Sequence, residues 1–214
     1  MTGVISGKEG ALLRIRELLN RSTDRALVGI VGKPGAGKST LSAYLLEELK
    51  SSEITVVSMD GYHLSNAVLQ ELGRADRKGA PDTFDVAGFA SLLQRIRTEK
   101  SVDVYYPVFD RAIEESIAAQ GVVTQETKIV IVEGNYLLHD TGGWEAIADL
   151  LDEIWFIDVD DEKRLERLIA RHIAYGKSPE AAESWSRGSD EVNARTIDAG
   201  RSRAHAVITL DYAR

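Results

Sequence analysis

The stretch Gly32-Lys33-Pro34-Gly35-Ala36-Gly37-Lys38-Ser39 satisfies the pattern G-x-x-x-x-G-K-[ST] and restricts the fold more than any other part of the chain. A phosphate-binding loop of this kind works on a strand-to-helix turn. There its glycines let backbone N–H groups converge on one anion, and the first helical turn adds its own unpaired N–H groups and positive dipole end. The flanks supply that turn. Ala26-Leu27-Val28-Gly29-Ile30-Val31 reads as a buried strand, and Leu41, Tyr44, Leu45, Leu46 and Leu49 recur at helical spacing as far as Lys50. Average composition makes a chance match on the order of one per hundred chains of this length. The pattern therefore assigns nucleotide binding to Gly32, Lys33, Pro34, Gly35, Ala36, Gly37, Lys38 and Ser39 with the adjoining Thr40. Lys38 is expected on the β and γ phosphates of ATP, and the Ser39 hydroxyl on Mg²⁺.

Glu9 to Asn20 places Leu12, Leu13, Ile15, Leu18 and Leu19 on one side of an amphipathic helix ahead of the first strand. After the loop and its helix, the β-branched run Ile54-Thr55-Val56-Val57-Ser58 reads as a second strand that ends at Met59-Asp60-Gly61. Strand, helix and strand in this order imply a parallel pair with a right-handed crossover, which puts Asp60 on the same carboxyl edge as the phosphate loop. Asp-Gly is a common turn former. At this edge, however, a carboxylate can take the proton of an attacking hydroxyl, so Asp60 is the candidate base.

Asp85 fits the N-cap of a helix from about Val86 to Glu99, while Arg77 and Lys78 read equally as solvated charges or as an arm reaching a substrate. Val102 to Arg111 is extended, and Pro107 places it in an edge strand or hairpin outside the central sheet, as a small β insertion over the acceptor site. Ile129-Val130-Ile131-Val132 is a buried strand ending in Glu133, a candidate metal-supporting acid. Glu153 to Val159 is a further strand. The helix Glu162 to Tyr175 carries Arg164, Arg167 and Arg171 on one face, which suits either a lid over phosphates or a balanced surface helix. A last helix near Pro179 to Arg201 and a closing strand His205 to Leu210 complete the chain.

The formal charge of −8 over 214 residues weighs against nonspecific binding to nucleic acid or anionic membranes. No apolar run is long enough to span a bilayer, and the charged opening residues make a poor signal peptide. The absence of cysteine excludes disulfides and thiolate metal sites. A cytoplasmic protein with a small-molecule partner is expected, with no nucleic acid and no membrane insertion; a homodimer is left open.

Gly32 to Ser39, Ser58-Met59-Asp60-Gly61-Tyr62, Arg77 to Asp85, Pro107-Val108-Phe109-Asp110 and Val132-Glu133-Gly134 stand in the order seen in the phosphoribulokinase/uridine kinase/bacterial pantothenate kinase superfamily, which the chain resembles over nearly its whole length. More narrowly, Tyr106 to Glu115, Glu133 to Leu138 and the arginine-bearing helix resemble small bacterial kinases labelled as fructose transport system or nucleoside/nucleotide kinases. The resemblance implies one α/β domain over 1–214, a three-layer P-loop NTPase fold with a mostly parallel central sheet, a helical lid at about 162–180 and an acceptor-site insertion at about 74–125. It further implies an ATP-dependent phosphotransferase acting on a hydroxyl, in which Asp60 is the base, Lys38 and Ser39 handle phosphate and Mg²⁺, Glu133 supports the metal and Arg171 belongs to the lid. Tyr62, His63, Arg77, Phe109, Arg111 and Tyr136 are expected at the acceptor. Uridine kinases follow their P-V-Y-D with an aromatic residue and a histidine, and pantothenate kinases place serine and histidine after P-V-Y; here Arg111 and Glu114 follow Asp110. The acceptor classes in view are a sugar such as fructose, a nucleoside and pantothenate. A GTPase-like switch is disfavoured for want of an Asn-Lys-x-Asp segment, and a catalytically idle nucleotide-binding partner of a transporter is the alternative outside enzymes.

Overall fold

The chain, described at residues 2–21 and 24–210 in a computed structural model, runs β1 (Gly3–Ser6), α1 (Gly7–Arg21), β2 (Ala26–Val31), α2 (Lys38–Leu49), β3 (Ile54–Ser58), α3 (Asn66–Glu71), α4 (Val86–Thr98), β4 (Val104–Asp110), β5 (Glu115–Val123), β6 (Ile129–Gly134), α5 (Glu145–Ala148), β7 (Glu153–Asp158), α6 (Asp161–Ala174), α7 (Pro179–Arg187), α8 (Ser189–Asp198) and β8 (Ala206–Thr209). Short 3₁₀ turns occupy Met59–Tyr62, Ala75–Arg77, Pro81–Thr83 and Arg201–Arg203.

Six strands form one sheet in the order β1-β8-β7-β2-β6-β3, and every neighbouring pair is parallel. Both faces are covered, so its central strands are largely apolar; all six residues of β2 are buried. Period-two alternation sorts their side chains into two cores. Leu27, Val31, Val130, Val132, Ile154 and Phe156 face a layer that includes Phe89, Leu92, Leu93 and Ile96 of α4. Val28, Ile30, Ile129, Ile131, Trp155 and Ile157 face α1 and α2 through Ala11, Ile15, Leu41 and Leu45. The result is the three-layer α/β fold with a mostly parallel sheet.

Three local expectations need correction. β2 and β3 are not a direct pair, because β6 lies between them. Both still deliver their carboxyl ends to the same edge, and Glu133 of β6 stands in register with Ile30 on one side and Ser58 on the other. β1, absent from the sequence reading, adds an outer strand that pairs only with β8. The helix expected over Pro179 to Arg201 is two helices, broken at Gly188 (φ −94°, ψ −97°).

β4 and β5 make a separate antiparallel hairpin whose register shifts between Tyr106 and Val108, around Pro107, where a ladder donor is missing. The Tyr106 hydroxyl donates to the Val56 carbonyl at 2.9 Å and ties the hairpin to β3. Asp85 caps α4, accepting from the Gly88 amide at 2.8 Å.

The hairpin reaches the carboxyl edge only because residue 61 has no side chain: a Cβ there would lie 2.1 Å from the Pro107 carbonyl oxygen. Gly61→Ala should therefore lower stability by about 1–3 kcal/mol as the hairpin is pushed outward. Denaturant unfolding checks this, and an unshifted midpoint would contradict the close approach.

Candidate active site

The carboxyl edge of β2, β3 and β6 opens into a cleft of about 420 Å³. Gly35 (φ +83°) and Gly37 (φ +94°) take left-handed backbone that ordinary residues avoid, which gives the loop its tight turn ahead of α2. Gly37 is the N-cap of α2 and makes no side-chain cap, and no acid stands in the first turn. The first-turn amides of α2 are left for an anion. Pro34, Gly35, Gly37, Lys38, Ser39 and Thr40 line the cleft. Gly32 and Ala36 are buried beneath it, and Nζ of Lys38 rests on the Gly32 carbonyl at 2.8 Å. Burial lowers Lys38 to about 8, opposed by the Asp60 and Glu133 carboxylates that face it.

Lys33 does not reach into the cleft. Its ammonium donates to Asp161 at 2.7 Å, at the start of α6. The same Asp161 oxygen receives Nε of Arg164 at 2.7 Å, while the two Nη groups of Arg164 go to the Pro34 carbonyl at 3.2 Å and to Glu191 of α8 at 2.6 Å. Arg164 is fully buried. It clamps the loop from behind, whereas Arg167 and Arg171, on the same helix face, line the cleft. The arginine face expected over phosphates is thus divided between support and lining.

Asp60 follows β3 in a 3₁₀ turn that Ser58 caps by accepting from the Asp60 amide at 3.2 Å. Its carboxylate receives Nη2 of Arg111 at 3.0 Å. Glu133 accepts from Ser42 at 3.3 Å. Burial raises its proton affinity, while Lys38 opposes the rise. His63 lines the cleft, with Nδ1 2.8 Å from the Asp60 carbonyl oxygen, and its ring sits 4.8 Å from that of Phe109.

Other expected acceptor residues lie elsewhere. Arg77 is half-exposed and bound to Asp82, outside the cleft lining. Tyr136 is fully buried, its hydroxyl on the Gly79 carbonyl at 2.6 Å and its ring against Phe84 and Trp144. Tyr62 packs on Phe89, and burial pushes its phenol up to about 12. Asn135, Tyr175, Asp190 and Asn193 line the cleft and were not anticipated. Asp190 and Asn193 come from α8, which carries no motif to flag them; the run of Gly134-Asn135 directly after Glu133 was the one available hint.

This fold and this loop define a P-loop kinase. A family model described as Phosphoribulokinase / Uridine kinase family matches residues 27–210, and the chain belongs to that family. Like its relatives it is an ATP-dependent kinase. It is 37% identical, with TM-score 0.84 and coverage of 94% of this chain and 98% of the other, to a Silicibacter protein whose crystal structure is described, provisionally, as a fructose transport system kinase. A Schizosaccharomyces pombe protein provisionally called uridine kinase C227.14 is 33% identical over 85% of this chain and 84% of its own. The crystal structure of YFH7 from Saccharomyces cerevisiae, at 21% identity and TM-score 0.79 over 97% and 99% of the two chains, shares the fold. Among the described residues no helix is long and apolar enough to cross a membrane.

Removing Arg164 leaves two carboxylates without their buried partner. Arg164→Met is expected to cost about 1–3 kcal/mol of stability, since Asp161 is exposed and keeps Lys33. In protein that still folds, MgATP affinity should fall about tenfold as the loop loosens. Urea unfolding and calorimetry on the same sample read both, and a variant with native stability and affinity would refute the clamp.

Proposed function

We propose that this kinase moves the γ-phosphoryl group of ATP to a hydroxyl of a small metabolite, with Asp60 as the general base. The observation that carries the reading is the convergence of Asp60, at the end of β3, with Lys38 of the phosphate loop in the lining of one cleft. The acceptor oxygen bonds to the γ-phosphorus as the bond to the bridging oxygen breaks. The hydroxyl proton passes to Asp60, and ADP leaves with the electron pair. Converging amides of the loop, Lys38, Arg167 and Arg171 meet the charge on the transferring group. Little covalent work falls to the protein, so placement and charge account for the rate.

Mg²⁺ fits the donor set. Ser39 and Glu133 offer hard oxygen ligands, and both line the cleft. Among the described residues no cluster of three or more His, Cys, Asp or Glu could hold a metal alone. When bound, it would neutralise phosphate charge.

The relatives' descriptions name fructose transport and uridine. Both compounds belong in an acceptor panel on that account, beside pantothenate. The soluble metabolite class fits a cytoplasmic enzyme.

Asp60→Asn should lower kcat by about 10²- to 10⁴-fold while leaving MgATP binding nearly unchanged. Coupled ADP-release assays on a responsive acceptor, with calorimetry of the nucleotide, measure the two. Undiminished turnover would remove Asp60 as the base.

A further inference from the structure

We propose that Met59 is a positioning residue: its thioether sulphur accepts the Asn135 amide and ties the turn that carries Asp60 to the carboxyl end of β6, so that Asp60 and Glu133 keep one spacing. The consequence for turnover rests on the reading of Asp60 as the base; the tether does not.

Strand pairing stops short of the residues it would have to locate. Ser58 is the last residue of β3 in register with β6, opposite Glu133, and beyond it the chain leaves the ladder for the 3₁₀ turn Met59–Tyr62. Asp60 lies past that point. Within the turn its backbone is fixed, since its amide donates to Ser58 Oγ at 3.2 Å and its carbonyl accepts from the His63 amide at 3.1 Å. Met59 and Asp60 therefore move together. The link across to β6 is made by Met59, whose Sδ accepts from the Asn135 backbone N–H at 3.1 Å.

A thioether is a weak acceptor, and its three rotatable bonds make methionine an adaptable filler of cores. Here the surroundings remove that freedom. Met59 is fully buried, in one core with Phe84, Tyr136 and Leu137. Its side chain occupies the space that Gly134 leaves open: a Cβ on Gly134 would lie 2.6 Å from Sδ and 2.7 Å from Cγ of Met59. Gly134 and Asn135 line the cleft next to Glu133, so the sulphur bonds the strand end that presents the carboxylate. A side chain of the same shape with no acceptor would leave the Asn135 donor unpaired beside an apolar core, and the strand end would give way. Groups that act together tolerate little of this, because a misplacement of about 1 Å can cost on the order of 10²-fold in rate.

The test removes the sulphur and keeps the shape. The chain has two methionines, the other being Met1, so growth on norleucine exchanges one internal sulphur for a methylene, and growth on selenomethionine keeps a chalcogen acceptor there. Met59→Leu is the encoded counterpart. Hydrogen exchange at the Asn135 amide, read by NMR, should be about tenfold faster in the norleucine protein and in Met59→Leu than in the native and selenomethionine proteins. Urea midpoints should stay close to native, as for other shape-conserving swaps. On whichever of fructose, uridine or pantothenate responds, kcat should fall about tenfold in the same two proteins with the KM for MgATP within about twofold of native, and selenomethionine should preserve kcat. Native exchange at Asn135 without the sulphur, or equal effects of norleucine and selenomethionine, would show that Met59 only fills space and would overturn the tether. Faster exchange with native kcat would overturn the positioning role. If no acceptor responds, the kinase reading fails by itself, and exchange at Asn135 still decides the tether.

Discussion

A fully buried guanidinium sets the shape of the nucleotide site. Arg164 bonds the Pro34 carbonyl, Asp161 and Glu191 together, and Lys33 joins at Asp161. Burying such a charge is costly unless every donor finds a partner, so the loop, α6 and α8 must keep their mutual positions for the protein to stay folded. The packing is close: a Cβ on Gly35 would lie 2.8 Å from the Arg164 carbonyl oxygen. Pre-shaping the loop in this way means that converging amides need not be ordered when the phosphates arrive. It also fixes the helix that presents Arg167 and Arg171.

The sheet provides the remaining geometry. Strands that run parallel end on one edge, and the order β2-β6-β3 brings the phosphate loop, Glu133 and Asp60 to adjacent ends. Insertion of β6 between the two strands matters chemically, because it puts Glu133, the proposed support for a metal, between the loop and Asp60, the proposed base. The hairpin then closes the edge with a further cation, admitted by the bare backbone of Gly61.

Much of this was legible in the residues. The strand, glycine-rich turn and helix around Lys38 announce themselves by local pattern, and Asp60 and Glu133 are readable because each follows a short run rich in β-branched residues that reads as a strand. The hairpin was readable from Pro107. What escaped the sequence depends on contacts between distant segments. β1 is four mostly exposed residues that become a strand only by pairing with β8. Arg164 sits on the same helix face as Arg167 and Arg171, and nothing in the i, i+3, i+7 spacing says that the first of them faces the loop's underside. Arg77 was ambiguous by itself, and Asp82 five residues later takes it up as a salt bridge. Tyr136 follows the strand-end motif like a cleft residue, yet its ring fills the space against Phe84 and Trp144. Asp190 and Asn193 reach the cleft only because the chain breaks at Gly188 before α8 begins.

The central claim is that a loop held in shape from behind captures a nucleoside triphosphate with its terminal phosphate toward Asp60. Calorimetric titration of the intact chain with a non-hydrolysable MgATP analogue tests it most directly. A single saturable site with Kd between about 1 µM and 1 mM, the usual range for such ligands, is the result expected. No heat at millimolar analogue, from protein whose circular dichroism and cooperative unfolding certify the fold, would contradict it.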